Sequence, residues 1–193
     1  PINSDKHINQ KIMINIIGNH IVGTGHIKRE ELIINNLCHL FPITIVSSDS
    51  DVINYFSKKE YVDVLHFSST KQLNEIITKK TPTLFINDTL NSNSETMLNI
   101  KKKCPRILSY EDCGMGTKYC NIIINELYSR KSMKYFHSNI TKISKKKFRC
   151  GIKYFSLRKE FQNHNPIKFK PKIINIIITF GGTDPMNYTE TVL

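Results

Sequence analysis

Short apolar runs alternate along the chain with longer segments in which apolar residues recur every three or four positions. The first run, "IMINIIG" (12–18), precedes "HIKREELIINNLCHLF" (26–41), where Ile33, Ile34, Leu37, Leu40 and Phe41 fall on one helical face. That pair predicts a strand feeding a helix. "PITIVSS" predicts a second strand, "DVINYFSKKE" a short helix, "VDVLHFS" a third strand, and "TKQLNEIITKK" a helix begun by Thr70. The beat then repeats with "PTLFIND" as a strand, "NSETMLNIKKKC" as a helix, and "PRILSYED" and "NIIINELY" as strands. Runs this apolar need cover on both faces. Their alternation with helices predicts an α/β domain built on a doubly wound parallel sheet, Rossmann-like in plan.

The pattern breaks twice. From Ser129 a basic, poorly periodic stretch runs to Arg149, and "NHNPIKFKPK" (163–172) carries two prolines that mark a linker. Beyond it, "IINIIITFGGTDPMNYTETVL" predicts a buried strand, a glycine turn, and a helix with Asp184 at its N-cap and Pro185 at its first position. The expected organisation is residues 1–162 as one domain, 163–172 as linker, and 173–193 as the beginning of a second domain. On this reading the chain is a piece of a longer protein, and "IINIIITF", cut off from its own sheet, is expected to self-associate or to lack order.

Composition narrows the function classes. No apolar run among the 193 residues reaches the roughly 18 needed to span a membrane, and the start "PINSDKHINQ" has no apolar signal block, so a cytoplasmic protein is expected. The net charge of +12 invites nucleic acid. The densest run, "KISKKKFR" (142–149), nevertheless has a single aromatic and no cluster of arginines, which fits a solvated loop and no specific nucleic-acid partner. Cys38, Cys104, Cys113, Cys120 and Cys150 are odd in number and lack a C-x-x-C spacing, which predicts reduced thiols and no metal site.

The stretch "IVGTGHIKRE" (21–30) holds the densest candidate chemistry. It places Gly23 and Gly25 in the turn after the first strand and His26 in the first turn of the following helix. In open parallel sheets, ligands bind at the carboxyl ends of the strands, where helix N-termini present N–H groups and a positive dipole end. The dipole disfavours an imidazolium, so a histidine there is expected to stay neutral and accept a proton, with Arg29 one turn later to hold an anionic group. A tight G-x-G turn before an ordinary helix accounts for the same residues. His20 precedes the turn and is the rival histidine; the other histidines share no spacing.

Five fragments in order, "VGTGHIKRE", "PTLFINDTL", "SYEDCGMGTKYCNIIINELY", "GIKYFSLRKEF" and "ITFGGTDPMNYT", resemble the nucleotide-sugar hydrolases of the pseudaminic acid pathway and related spore-coat polysaccharide proteins. The resemblance covers nearly the whole chain. "FINDTLNS" with "YEDCGMG" is most similar to members fused to a sugar cytidylyltransferase. It implies a two-domain glycosyltransferase-B architecture, with the sugar on the first domain, uridine diphosphate on the second and no metal or other cofactor. His26 would match the catalytic histidine that activates water, and Gly181, Gly182 and Thr183 would support the diphosphate. A UDP-linked amino or deoxy sugar would be cleaved at its anomeric bond, in surface polysaccharide or nonulosonic acid biosynthesis, and this chain alone would turn over little.

One departure stands out. The hydrolases usually carry an aromatic residue two positions after the aspartate of "FIND", and here Leu90 follows Asp88. Glycosyl transfer, or a non-catalytic sugar-binding domain, therefore stays open beside hydrolysis. Asn87 and Asp88 close one strand and are candidate sugar contacts or turn formers. Glu111 and Asp112 close the next, with Asp112 shaping the cleft. Asn125 is a candidate sugar contact, and Arg158 and Glu160 are expected to tie the last segment back onto the domain.

Overall fold

The computed structural model describes residues 9–19, 23–127, 148–162, 172, 175–180, 184 and 186–193. His20, Gly181, Gly182, Thr183, Pro185, nearly all of the linker and most of the basic stretch lie outside them. Seven parallel strands form one sheet in the order β3-β2-β1-β4-β5-β6-β7. They are β1 (Ile12–Ile16), β2 (Ile43–Ser47), β3 (Asp63–His66), β4 (Leu84–Asp88), β5 (Arg106–Tyr110), β6 (Ile122–Asn125) and β7 (Phe148–Cys150). Four helices cross between the early strands: α1 (Gly25–Leu37), α2 (Ser50–Phe56), α3 (Thr70–Lys80) and α4 (Ser94–Lys103).

The alternation along each strand explains the two-sided burial. Ile12, Ile14 and Ile16 of β1 join Ile43, Ile45 and Ile86 under α1 and α2, where Ile27, Ile34, Val52 and Phe56 complete one core. Met13, Val46, Phe85, Ile107 and Ile123 face the other way, onto Leu73 and Ile77 of α3 and Met97 and Ile100 of α4. Each such side chain contributes about 1.5–3 kcal/mol on burial, so the two cores dominate the stability. Chain direction reverses its order of strand addition between β1 and β4, where Ile16 pairs with Asp88. This is the topological switch point, where open parallel sheets bind ligands.

Local signals set the helix ends. Ser69 accepts from the Gln72 amide and starts α3; Asn93 accepts from Glu95 and Thr96 and starts α4. Thr81, in the left-handed region at φ 49°, ends α3. Asp49 leaves α2 uncapped and spends its carboxylate on the loop after β1, accepting from the Gly18 amide at 2.9 Å and from the Asn19 side chain at 3.3 Å.

Three parts of the sequence reading change. Helix α1 ends at Leu37, short of Leu40 and Phe41, which lie in the turn that follows. Strand β7 lies at the end of the basic stretch, where only Phe148 is buried and the alternation is too short to read. Residues 175–180 form no ladder with any described strand, and Ile176 and Ile177 are 80% and 89% exposed. The predicted strand lacks a neighbour to pair with, and an isolated strand leaves its backbone groups unpaired. The described helix beyond it is Tyr188–Val192, with Asp184 accepting from the Tyr188 and Thr189 amides.

The "CGMG" turn is set by space. A Cβ on Gly114 would collide with the Ser92 backbone, and one on Gly116 with Met97, Ser92 and Asn93, because the short 3-10 helix Met115–Tyr119 packs against the loop before α4. Gly114→Ala is therefore expected to cost about 1–3 kcal/mol by overpacking. Urea unfolding of the variant would measure it, and a change within experimental error would show that this loop can shift.

Candidate active site

At the switch point the loop after β1 brings His26, in the first turn of α1, onto the end of β4. His26 Nδ1 lies 2.6 Å from Asp88 Oδ1, with both side chains buried. Arg29 donates through Nη2 to the same oxygen at 2.5 Å and through Nε to Oδ2 at 3.1 Å. Its Nη2 also lies 3.0 Å from His26 Nδ1, but both are donors converging on one acceptor, so that contact is not a hydrogen bond of its own. An ionised carboxylate only accepts, so the neutral imidazole carries its proton on Nδ1 and its lone pair on Nε2. Such a ring can take a proton from a hydroxyl or a water.

Arg29 is itself ringed by acid. Its Nη1 lies 3.2 Å from Glu111 Oε2 and 3.9 Å from Glu126 Oε2, and the guanidinium sits 5.1 Å from the centroid of the Tyr110 ring. Burial works against its charge, yet Asp88, Glu111 and Glu126 outweigh that and hold its pKa above the ordinary value. The donors of Arg29, expected to hold an anionic ligand group, meet protein carboxylates here. Glu111 adopts φ 49°, a left-handed backbone that costs a non-glycine residue about 1–3 kcal/mol. Burial, then Glu30 and Glu126, push the Tyr110 phenol up.

Glu30 lies beneath this group, fully buried. Burial first and the Asp88 charge second raise its carboxyl well above the ordinary 4.5, so it holds its proton to higher pH in the folded chain. The unfolded chain loses that proton near 4.5. Between the two values the folded state binds one proton more, so the Glu30 contribution to stability is fully present below the unfolded value. It declines as pH rises towards the folded value, by up to about 1.4 kcal/mol per pH unit. Glu30→Gln should then raise the melting temperature more at pH 8 than at pH 5. Equal changes at the two pH values would mean that Glu30 titrates normally.

A cavity of about 460 Å³ opens over His26 and Arg29. Glu111 and Glu126 form one wall, and Phe155, Ser156, Leu157 and Phe161 form another, from the segment after β7. Ser156 Oγ donates to Glu126 Oε1 at 2.7 Å and anchors that wall. Gly25 lines the mouth, with open space where a Cβ would stand, and Gly23 turns the loop at φ 94°. Arg158 also lines the cavity and pairs with Glu160 at 3.7 Å on the same short segment, so that pair does not itself bridge to the sheet. A larger depression between α3 and α4, about 670 Å³, is lined by Thr70, Lys71, Asn74, Lys103 and similar side chains and holds no comparable constellation.

The other sequence candidates lie below this surface. Asp88 meets His26 and Arg29 and is fully buried. Asn87 accepts from Asn15 at 3.0 Å and donates to Thr89 and Asp112, cross-linking β1, β4 and β5. Asp112 accepts from the amides of Ser92 and Gly114 at 2.9 and 2.8 Å and from Ser109 Oγ at 2.9 Å. It shapes the loops and has no face on the cavity. Asn125 is buried at the end of β6, its carbonyl accepting from Gly151. Leu90 is exposed on the loop after β4. Glu30, Tyr110 and Glu126 escaped the sequence reading. Glu30 follows His26 by four residues on the stripe continued by Ile34, a spacing that signals a shared face.

None of the five cysteines is in a disulfide, and burial pushes the Cys104 and Cys113 thiols up, which fits unreactive structural residues. Among the described residues no group of three His, Cys, Asp or Glu is arranged to hold a metal ion, and no helix is long and apolar enough to cross a membrane.

No family model matches the chain. The chain is 28% identical over 198 residues to the uncharacterized protein MJ1062 of Methanocaldococcus jannaschii, an alignment covering 95% of this chain and 39% of that protein. It thus spans about two fifths of the curated relative it matches. A glycosyltransferase from Rickettsia africae ESF-5 shares the fold, with a TM-score of 0.51 at 14% identity over 74% of this chain and 42% of that one. A mutant O-GlcNAc transferase of Thermobaculum terrenum aligns at a TM-score of 0.44 and 10% identity, over 66% of this chain and 26% of that one. The fold is α/β and Rossmann-like.

Proposed function

We propose that this chain is the sugar-side half of a two-domain enzyme of glycosyltransferase-B type that breaks the anomeric bond of a nucleotide sugar, with His26 as general base. The observation that carries the reading is the His26–Asp88 pair, buried at the carboxyl end of the sheet beneath a cavity. The base takes a proton from the incoming hydroxyl as its oxygen bonds to the anomeric carbon. The bond from that carbon to the diphosphate oxygen breaks, and its electron pair leaves with the diphosphate. Residues 163–172 act as the linker, and Gly181, Gly182 and Thr183 meet the diphosphate at a helix start of the second domain.

The acceptor decides between two activities. A sugar hydroxyl makes the enzyme a glycosyltransferase, the reading that the shared fold with a glycosyltransferase supports. Water makes it a hydrolase of a UDP-linked amino or deoxy sugar, as the motifs around His26 and in "FGGTDP" suggest. The full-length protein, incubated with UDP-sugars in 18O-labelled water with and without sugar acceptors, separates them. Free sugar labelled at the anomeric oxygen marks hydrolysis, and a glycoside marks transfer. Intact nucleotide sugar throughout the panel would remove the reading.

A further inference from the structure

Glu111 follows β5 in a left-handed backbone conformation, φ 49°, that its residue type resists. Its amide donates to the Ile124 carbonyl at 2.8 Å, which ties that backbone to β6. The side chain lines the cavity together with His26 and is 16% exposed. Among the described residues its carboxylate meets Arg29 Nη1, 3.2 Å from Oε2, and no described residue donates a hydrogen bond to Oε1. Arg29 already places two bonds on Asp88, so its charge has a partner without Glu111. Glu126 differs, because Ser156 Oγ donates to its Oε1 at 2.7 Å. Glu111 is therefore the acid on the cavity wall with an acceptor oxygen to spare.

The cavity has two unlike walls. Exposed Phe155 and Phe161 lie on one and the carboxylates on the other. A sugar ring is divided in the same way, with C–H faces that suit apolar side chains and hydroxyls that donate to a carboxylate. Charge argues against the other half of a nucleotide sugar. Asp88, Glu111 and Glu126 surround the single guanidinium of Arg29, while Lys28 and Arg158 at the rim are paired with Glu31 and Glu160. A diphosphate entering here would meet net negative charge. We propose that Glu111 is a sugar-contact residue: Oε1 accepts a hydrogen bond from a ring hydroxyl, or from the N–H of an amino sugar, and holds the sugar beside His26. The assignment rests on the sugar-side reading above and names the residue that grips the sugar.

Calorimetric titration of the full-length protein with UDP-glucose, UDP-N-acetylglucosamine and UDP-6-deoxyglucose, each compared with UDP, tests it. The ratio of the UDP Kd to the UDP-sugar Kd isolates the contribution of the sugar. All titrations use the His26→Ala background, so that cleavage does not consume the ligand. Glu111→Asn suits the left-handed backbone but ends one carbon short, and Glu111→Gln keeps the length without the charge. For the UDP-sugar that binds most tightly, the ratio should fall about tenfold to hundredfold in Glu111→Asn, the worth of a hydrogen bond to a charged group. It should fall less in Glu111→Gln, which carries the test if Glu111→Asn does not fold. Affinity for UDP itself should stay within about twofold, because the contact is to the sugar. Ratios unchanged in both variants would overturn the proposal, leave the sugar-side reading standing, and reduce Glu111 to a counter-charge for Arg29. A reference protein that binds none of the three more tightly than UDP would remove the sugar-side reading, and the proposal with it.

Discussion

Replacing His26 by Ala in the full-length protein is expected to lower turnover about a hundredfold to ten-thousandfold, the range for a lost general base, with substrate binding changed much less. The argument runs through one hydrogen bond. Asp88 fixes the ring through Nδ1 at 2.6 Å, and the ring lines the cavity, so Nε2 is the nitrogen that can meet an acceptor. Alanine removes the proton acceptor and leaves the cavity walls standing. His20→Ala should do far less, because His20 precedes the glycine turn and does not begin the helix. Steady-state release of nucleoside diphosphate would measure both effects, and equal losses in the two histidine variants would assign the base elsewhere.

Arg29→Met should produce the largest loss of stability, about 3–5 kcal/mol, as expected when one partner of a buried ion pair is removed. Arg29 is the cation that meets Asp88, Glu111 and Glu126 together. Without it three carboxylates face each other in a region that already holds Glu30, and water does not reach them freely. A loss of that size is a large share of the 5–15 kcal/mol typical of a domain. Arg29→Lys should fall between, because a single ammonium cannot place two parallel bonds on Asp88 and also reach Glu111. Equilibrium unfolding in urea measures the differences. A Met variant within about 1 kcal/mol of the parent would mean that the carboxylates are neutralised some other way.

The strand and helix beat was legible because both faces of the sheet are covered. Isoleucine therefore recurs at every second position of β1, at 12, 14 and 16, and at 43 and 45 of β2, and the α3 stripe of Leu73 and Ile77 has ordinary helical spacing. Residues 175–180, read as part of a strand of a second domain, are in no strand in this chain. "IINIIITF" has the composition of a buried strand, but strand formation depends on neighbours that composition does not encode. The place of His26 at a helix start was legible from its glycine turn, whereas its contact with Asp88 was not. Their contact spans 62 residues and exists only because β4 lies beside β1, a strand order that hydrophobic periodicity leaves open. Arg29 was read as a ligand contact because a cation near a helix start suggests an anion; its contacts with Asp88, Glu111 and Glu126 from three strand ends were not legible. Glu126 follows Asn125, the residue singled out from the motif, and it is Glu126 that faces Arg29 and lines the cavity.

The central claim is that His26 drives cleavage of a nucleotide sugar at its anomeric bond. Phosphorus NMR of the full-length protein with UDP-sugars tests it most directly, because the two phosphorus signals of the sugar diphosphate give way to those of free UDP as the bond breaks. The account predicts that conversion with the parent protein at neutral pH, slowed at least about a hundredfold in His26→Ala. Conversion at the parent rate in His26→Ala, or spectra unchanged with every UDP-sugar supplied, would contradict it.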